Sequence, residues 1–114
     1  MEAPAPGIYQ KARYAARAAV LKALAHPTRL YIADRLSERE HCVCELARLI
    51  GADVSTVSRH LLVMKNAGLV SDDKRGTSVY YRLRVPCILG FFNCVEQVLK
   101  LNAEYFRAAA KVRH

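Results

Sequence analysis

The chain lacks several features that would place it quickly. No apolar run is long enough to cross a bilayer: the longest, Val85 to Val98, is broken by Pro86, Gly90, Asn93 and Glu96, whereas a spanning helix needs about 20 mostly apolar residues. The opening residues, MEAPAPG, carry neither the basic stretch nor the apolar core of a secretory leader, so a cytoplasmic location is expected. Internal repeats and low-complexity segments are missing. Acid is scarce: 10 Asp and Glu face 18 Lys and Arg, a formal charge of +8. That balance points to a polyanion partner, most simply nucleic acid. The four cysteines, in a cytoplasmic setting, read as thiols, ligands or redox groups and not as a disulfide framework.

What is present suits one domain. The 114 residues are 53% hydrophobic, enough for a modest core, but a chain this short buries little surface alone. Residues 1–8 read as a flexible N-terminal tail and 9–110 as the folded domain. Tyr9 to Ala25 is rich in Ala, Leu, Lys and Arg without Gly or Pro, a helix. Pro27 suits the first turn of a second helix to about Leu36, with Leu30, Ala33 and Leu36 as its buried stripe. A third helix begins near Val43, with Val43, Leu46, Ala47 and Ile50 at helical spacing and Gly51 at its end. Asp53 caps a fourth helix, on which Val57, Leu61 and Met64 share one face. The two are joined by GAD, a turn of helix-turn-helix length.

From Val79 the pattern changes to strand period: Val79, Tyr81 and Leu83 point one way, Tyr80, Arg82 and Arg84 the other. Leu69 to Ser71 can pair with this strand across an SDDKRGTS loop, making a hairpin. Pro86 then opens a long helix to about Ala110, apolar around much of its girth. Such a helix on a small domain needs a cover, and a homodimer through the first and last helices supplies one. The expected fold is therefore mainly α with a small β-hairpin, a winged helix-turn-helix.

In that fold the fourth helix enters the major groove. Its outer face carries Val54, Ser55, Ser58, Arg59, Leu62 and Lys65. Candidate DNA contacts are Ser55, Thr56, Ser58, Arg59, His60 and Lys65, with Lys74 and Arg75 of the hairpin tip on phosphate or in the minor groove. The plainer alternatives are that Ser55 and Thr56 assist the cap, that His60 is half-buried packing, and that Lys74 and Arg75 solubilise a turn.

Three segments, LKALAHPTRLYIADRL, CVCELARLIGADVSTVSRHLLVMKNAGLV and RGTSVYYRL, together closely resemble the ArsR/SmtB family of metal-sensing repressors, over roughly residues 15–83. The resemblance implies a winged-helix homodimer that holds a palindromic double-stranded operator and leaves it when an inducer binds. Within the family, CVC at Cys42 to Cys44 resembles the metal-binding box of the arsenic and cadmium/lead members. The implied inducer is As(III), with Cd, Pb or Zn as the alternative, and no organic cofactor is expected.

The spacing sets conditions on that box. Inside a regular helix, positions i and i+2 lie about 200° apart and cannot share an ion. Cys42, however, falls where an N-cap belongs, with Glu45 three residues on as in a capping box. With non-helical backbone at Cys42, both sulfurs can reach one ion by loosening the first turn. Capture there would distort the third helix and so move the fourth. Arsenic-sensing relatives often place a third cysteine where this chain has Ala47. The remaining candidates for a third ligand are Cys94, Cys87 and His41, from either subunit. Seven residues apart on one helix, Cys87 and Cys94 lie about 10 Å apart along the axis and cannot both bind one ion; Cys94 alternatively packs as a small core residue. The family's other metal site, built from Asp and His on the last helix, is unsupported, since residues 86–110 contain neither. A thiol redox or persulfide sensor is a third reading. An enzyme is not expected, because nothing orients a cysteine–histidine pair and there is little room for a substrate pocket.

Overall fold

The computed structural model describes residues 6–112. In chain order the elements are α1 (Pro6–Leu24), α2 (Pro27–Glu38), β1 (His41–Cys42), α3 (Val43–Ile50), α4 (Val54–Asn66), β2 (Val70–Arg75), β3 (Ser78–Leu83) and α5 (Ile88–Val112). Of the expected tail, residues 1–5 lie outside the described residues; α1 already runs from Pro6, three residues before Tyr9.

Each junction has a local cause. Pro27 opens α2, whose N-cap His26 accepts the Thr28 N–H on Nδ1 at 3.1 Å. Gly51 closes α3 at φ 79°, where its N–H donates to the Ala47 carbonyl at 2.9 Å; such a left-handed cap suits glycine. The buried side of α2 is Ile32, Ala33 and Leu36. Leu30, expected in that stripe, is 39% exposed because it faces sideways toward α5. On α4 the expected face holds: Val57, Leu61 and Met64 are fully buried. With Leu24, Ile32, Leu46 and Val70 they form the core, each large side chain contributing about 1.5–3 kcal/mol.

The sheet has three antiparallel strands in the order β1-β3-β2, not the two of a hairpin. His41 pairs with Tyr81 and Cys42 with Tyr80, so the chain entering α3 is an edge strand of the hairpin sheet. The hairpin is also tighter than expected. Asp72 to Arg75 are strand, paired up to Arg75 with Ser78, leaving Gly76 (φ 63°) and Thr77 as the turn. A two-residue turn of this kind needs positive φ, which glycine supplies. As the alternation predicts, Tyr81 is buried, and Val79 and Leu83 pack on the core.

The long terminal helix starts at Ile88, so Cys87 lies in the preceding turn and not on α5 beside Cys94 as expected. Of α5, Ile88 and Phe92 pack against the core. Beyond them Val98, Leu101, Tyr105 and Phe106 stand 54%, 62%, 70% and 69% exposed. Between α1, α2 and α5 runs a groove of about 420 Å³, lined by Leu21, Leu24, Leu30, Phe91, Phe92 and Leu99. The Cα radius of gyration is 18.5 Å, against about 13 Å for a compact chain of this length: much of the terminal helix stands off the body.

Candidate nucleic-acid interface and thiol site

The start of α4 is built on Asp53. Its carboxylate accepts the hydroxyls of Ser55 and Thr56, both at 2.6 Å, which hold it below the usual carboxylate range. Both hydroxyls are thus engaged by Asp53, whose side chain makes no capping hydrogen bond to the helix backbone, although Ser55 remains exposed. Ser58 is half-buried and Arg59 exposed on the outer face, beside Leu62 at 53% exposure. His60 turns inward: its ring lies 4.4 Å from that of His26. Burial, then the neighbouring His26, Arg29 and Arg59, push its pKa down. The packing alternative for His60 therefore describes its place better than the DNA-facing one.

Two further cations are already engaged. Lys65 Nζ sits 2.9 Å from Asp72 Oδ2, tying α4 to β2. Arg75 reaches back to Glu40 with both terminal nitrogens, at 2.6 and 3.0 Å, while its Nε holds Asp73 at 3.0 Å. Its guanidinium also covers the Tyr80 ring at 4.6 Å. These carboxylates raise the Arg75 pKa. Lys74 beside it is exposed. The sequence pattern puts Lys74 and Arg75 together at a tip; β-pairing separates them to opposite faces of the strand. Arg82, on the side of β3 that the alternation turns away from the core, is a cation missing from the candidate contacts. It is exposed and donates to Ser71 Oγ at 3.1 Å.

The thiol pair lies at the α3 N-terminus. Cys42 is the N-cap, with extended backbone at φ −80°, ψ 159°. Glu45 accepts its backbone N–H at 3.3 Å, and the thiol lies 3.6 Å from the same carboxylate oxygen. Arg39 grips the other oxygen at 2.8 Å. The Arg39 bond first, and the Cys42 amide second, lower the Glu45 pKa to about 2. Cys44 is exposed in the first turn. His41 is buried, 5% exposed; its Nδ1 is 3.4 Å from Glu45 Oε2 yet makes no hydrogen bond.

Cys87 and Cys94 are both exposed, so Cys94 is not a core residue of the protomer. Among the described residues no three of His, Cys, Asp and Glu converge in a group that could hold a metal ion. One protomer thus presents Cys42 and Cys44 together and brings neither Cys87 nor Cys94 into a set with them.

Two short helices joined by a tight turn, the second backed by a two-stranded wing, make this a winged helix-turn-helix DNA-binding domain. Residues 26–72 match the family described as bacterial regulatory protein, arsR family. The cadmium resistance transcriptional regulatory protein CadC homolog of Staphylococcus aureus is 46% identical over 67 residues, 58% of this chain and 55% of that one. The arsenical resistance operon repressor of Escherichia coli is 43% identical over 65 residues, 56% of each. The chain thus spans just over half the length of these curated relatives. In three dimensions it resembles the homodimeric winged helix-turn-helix DNA-binding domain of Mb0332 from Mycobacterium bovis, with TM-score 0.74 and 31% identity over 92% of this chain and 95% of that one. The chain belongs to the arsR family, a family of DNA-binding transcriptional regulators and not of enzymes. Among the described residues no helix is long and apolar enough to cross a membrane.

Proposed function

We propose that the protein is a metal(loid)-responsive repressor that binds a palindromic operator as a homodimer and releases it when arsenite or antimonite is taken up by cysteine thiolates. The observation that carries the reading is the position of Cys42: N-cap of α3, with extended backbone, one short helix upstream of α4. A pair of thiolates selects soft ions over Mg²⁺, Ca²⁺ or Mn²⁺. A pyramidal As(III) centre takes three sulfurs, each thiol displacing one hydroxide as water. The third comes from Cys94 or Cys87, of this subunit after rearrangement or of the partner. Arsenic-resistance control in the Escherichia coli relative supports the same inducer here.

In this reading α4 lies in the major groove with Arg59 and Ser58 outward, Ser55 at its entry, and Lys74 on the backbone. The apolar stripes of α1 and α5 cover one another across the two-fold, placing the recognition helices about 34 Å apart. Ligation requires Cys42 to lose its proton. The thiol hydrogen that faces Glu45 at 3.6 Å is then lost to water and an As–S bond takes its place, so Glu45 loses that donor. With that donor gone and the sulfur drawn toward the ion, the Glu45 bond to the Cys42 amide loosens, the cap of α3 opens, and α4, packed against α3, shifts in the groove. A typical coupling of about 1–3 kcal/mol weakens operator binding roughly 5–150-fold.

The second reading, a cadmium, lead or zinc sensor, rests on similarity to the CadC homolog and requires a fourth ligand; thiol oxidation or persulfidation of the same pair is a third. One titration separates them. Labelled operator is followed with arsenite, cadmium, zinc and persulfide in turn, using wild type and a Cys42→Ser, Cys44→Ser variant. Release by arsenite that the variant lacks is expected. Release of the variant by arsenite, or of wild type by cadmium alone, overturns the arsenite assignment.

A further inference from the structure

The wing is joined to the thiol site directly, and not only through α4. Cys42 is the ladder partner of Tyr80, and His41 that of Tyr81, so β1 is the third strand of the wing's own sheet. One residue before β1, Glu40 holds Arg75, the last residue of β2, through two hydrogen bonds at 2.6 and 3.0 Å. Arg75 in turn covers the Tyr80 ring at 4.6 Å. The guanidinium is therefore fixed on one side by the segment that leads into the thiol pair and on the other by the residue that pairs with Cys42. Single exposed ion pairs do little, but this one is bidentate, stacked on an aromatic ring and shared with Asp73, a geometry that defines one orientation.

We propose that Glu40 and Arg75 are a positioning pair that carries displacement of β1 into the wing, so that the state of Cys42 sets where the wing stands on DNA. Arg75 then acts through Glu40 and is not itself a phosphate contact. Movement of Cys42 and β1 drags Glu40; Glu40 drags Arg75 and the Gly76–Thr77 turn; the wing leaves its place on the backbone. The coupling part of this proposal rests on the reading of the protein as an arsenite-released repressor. The mechanical part does not.

Two measurements test it. In the first, operator affinity is measured with and without saturating arsenite for wild type, Glu40→Gln, Arg75→Gln, the double variant and Glu40→Asp. Each single variant should shrink the affinity ratio about two- to five-fold, the range an exposed pair can supply. The double variant should lose no more than the larger single loss, Glu40→Asp should retain the wild-type ratio, and arsenite stoichiometry should not change. An unchanged ratio in Glu40→Gln, with wild type responding, overturns the proposal. In the second, hydrogen exchange of residues 74–79 is followed in metal-free protein. Cys42→Asp, which sets a fixed negative charge beside Glu45, should speed exchange there, but not in a Glu40→Gln background relative to Glu40→Gln alone. Equal acceleration in both backgrounds overturns the pair. If wild type ignores arsenite, the inducer reading fails, and this second measurement still decides the mechanics.

Discussion

His26 and His60 stack with ring centroids 4.4 Å apart and planes tilted by 48°, joining the N-cap of α2 to the middle of the recognition helix. His60 is held below its ordinary value of 6.5 first by burial and then by its neighbours His26, Arg29 and Arg59. A histidine with a depressed folded-state pKa is neutral in both states above 6.5. Below it the unfolded chain takes up the proton first, so stability falls as pH drops toward the folded value. Urea unfolding between about pH 7 and 5 should show this loss, and His60→Gln should flatten it. Parallel pH profiles for the two proteins would rule out the histidine pair as the source.

Arg59 is the cation of α4 that stands exposed on its outer face, whereas Lys65 is tied to Asp72 at 2.9 Å. Arg59→Ala should weaken operator binding at fixed salt more than Lys65→Ala does. If Arg59 sits on phosphate, the slope of log affinity against log salt should fall by about 0.9 for each phosphate charge left unneutralised. If it reads a base, the slope stays and discrimination at one position drops by about 1–3 kcal/mol. An effect no greater than that of Lys65→Ala would remove Arg59 from the interface.

Val98 is 54% exposed in one protomer and lies on the α5 stripe assigned to the dimer. Val98→Asp should leave helical content unchanged and shift sedimentation toward the monomer. Operator affinity should fall with it, since two half-sites are no longer read together. A dimer of wild-type strength would place the interface elsewhere.

Gly51 adopts φ 79°, and a methyl group added there would meet no atom within 4 Å. The cost of Gly51→Ala is then backbone strain alone, about 1–2 kcal/mol. Chemical denaturation should report it directly, and Gly51→Asn should cost less, because asparagine tolerates the left-handed region. Equal stability of the alanine variant would contradict the cap geometry.

The helices and their caps are readable in the sequence because each depends on near neighbours. Pro27, Gly51 and Asp53 mark ends, and Val57, Leu61 and Met64 recur at a spacing that only a helix buries on one side. What escapes is long-range. A two-residue strand has no period, so β1 is visible only once Tyr80 and Tyr81 supply its partners. Leu30 and Ile32 are equally apolar, and which one is buried depends on where α5 passes. Among the candidate DNA-binding cations, Arg75 is taken up by Glu40, 35 residues earlier, a partner that no local pattern reveals. Likewise, the inward turn of His60 follows from the position of His26. At the thiol pair, the cap role of Cys42 and its link to Glu45 are legible from three-residue spacing, whereas the exposure of Cys94 is not.

In the proposed dimer, the unburied stripe of α5 would make dosage part of the switch. There Tyr105 and Phe106, 70% and 69% exposed in a single protomer, are covered only when two chains meet. Below the association midpoint, the amount of operator-competent species varies as the square of the chain concentration. Dilution at cell division would then lower occupancy more than in proportion, and renewed synthesis would restore it as steeply. A gene held by this protein would sit behind a threshold set by copy number, even in the absence of any inducer.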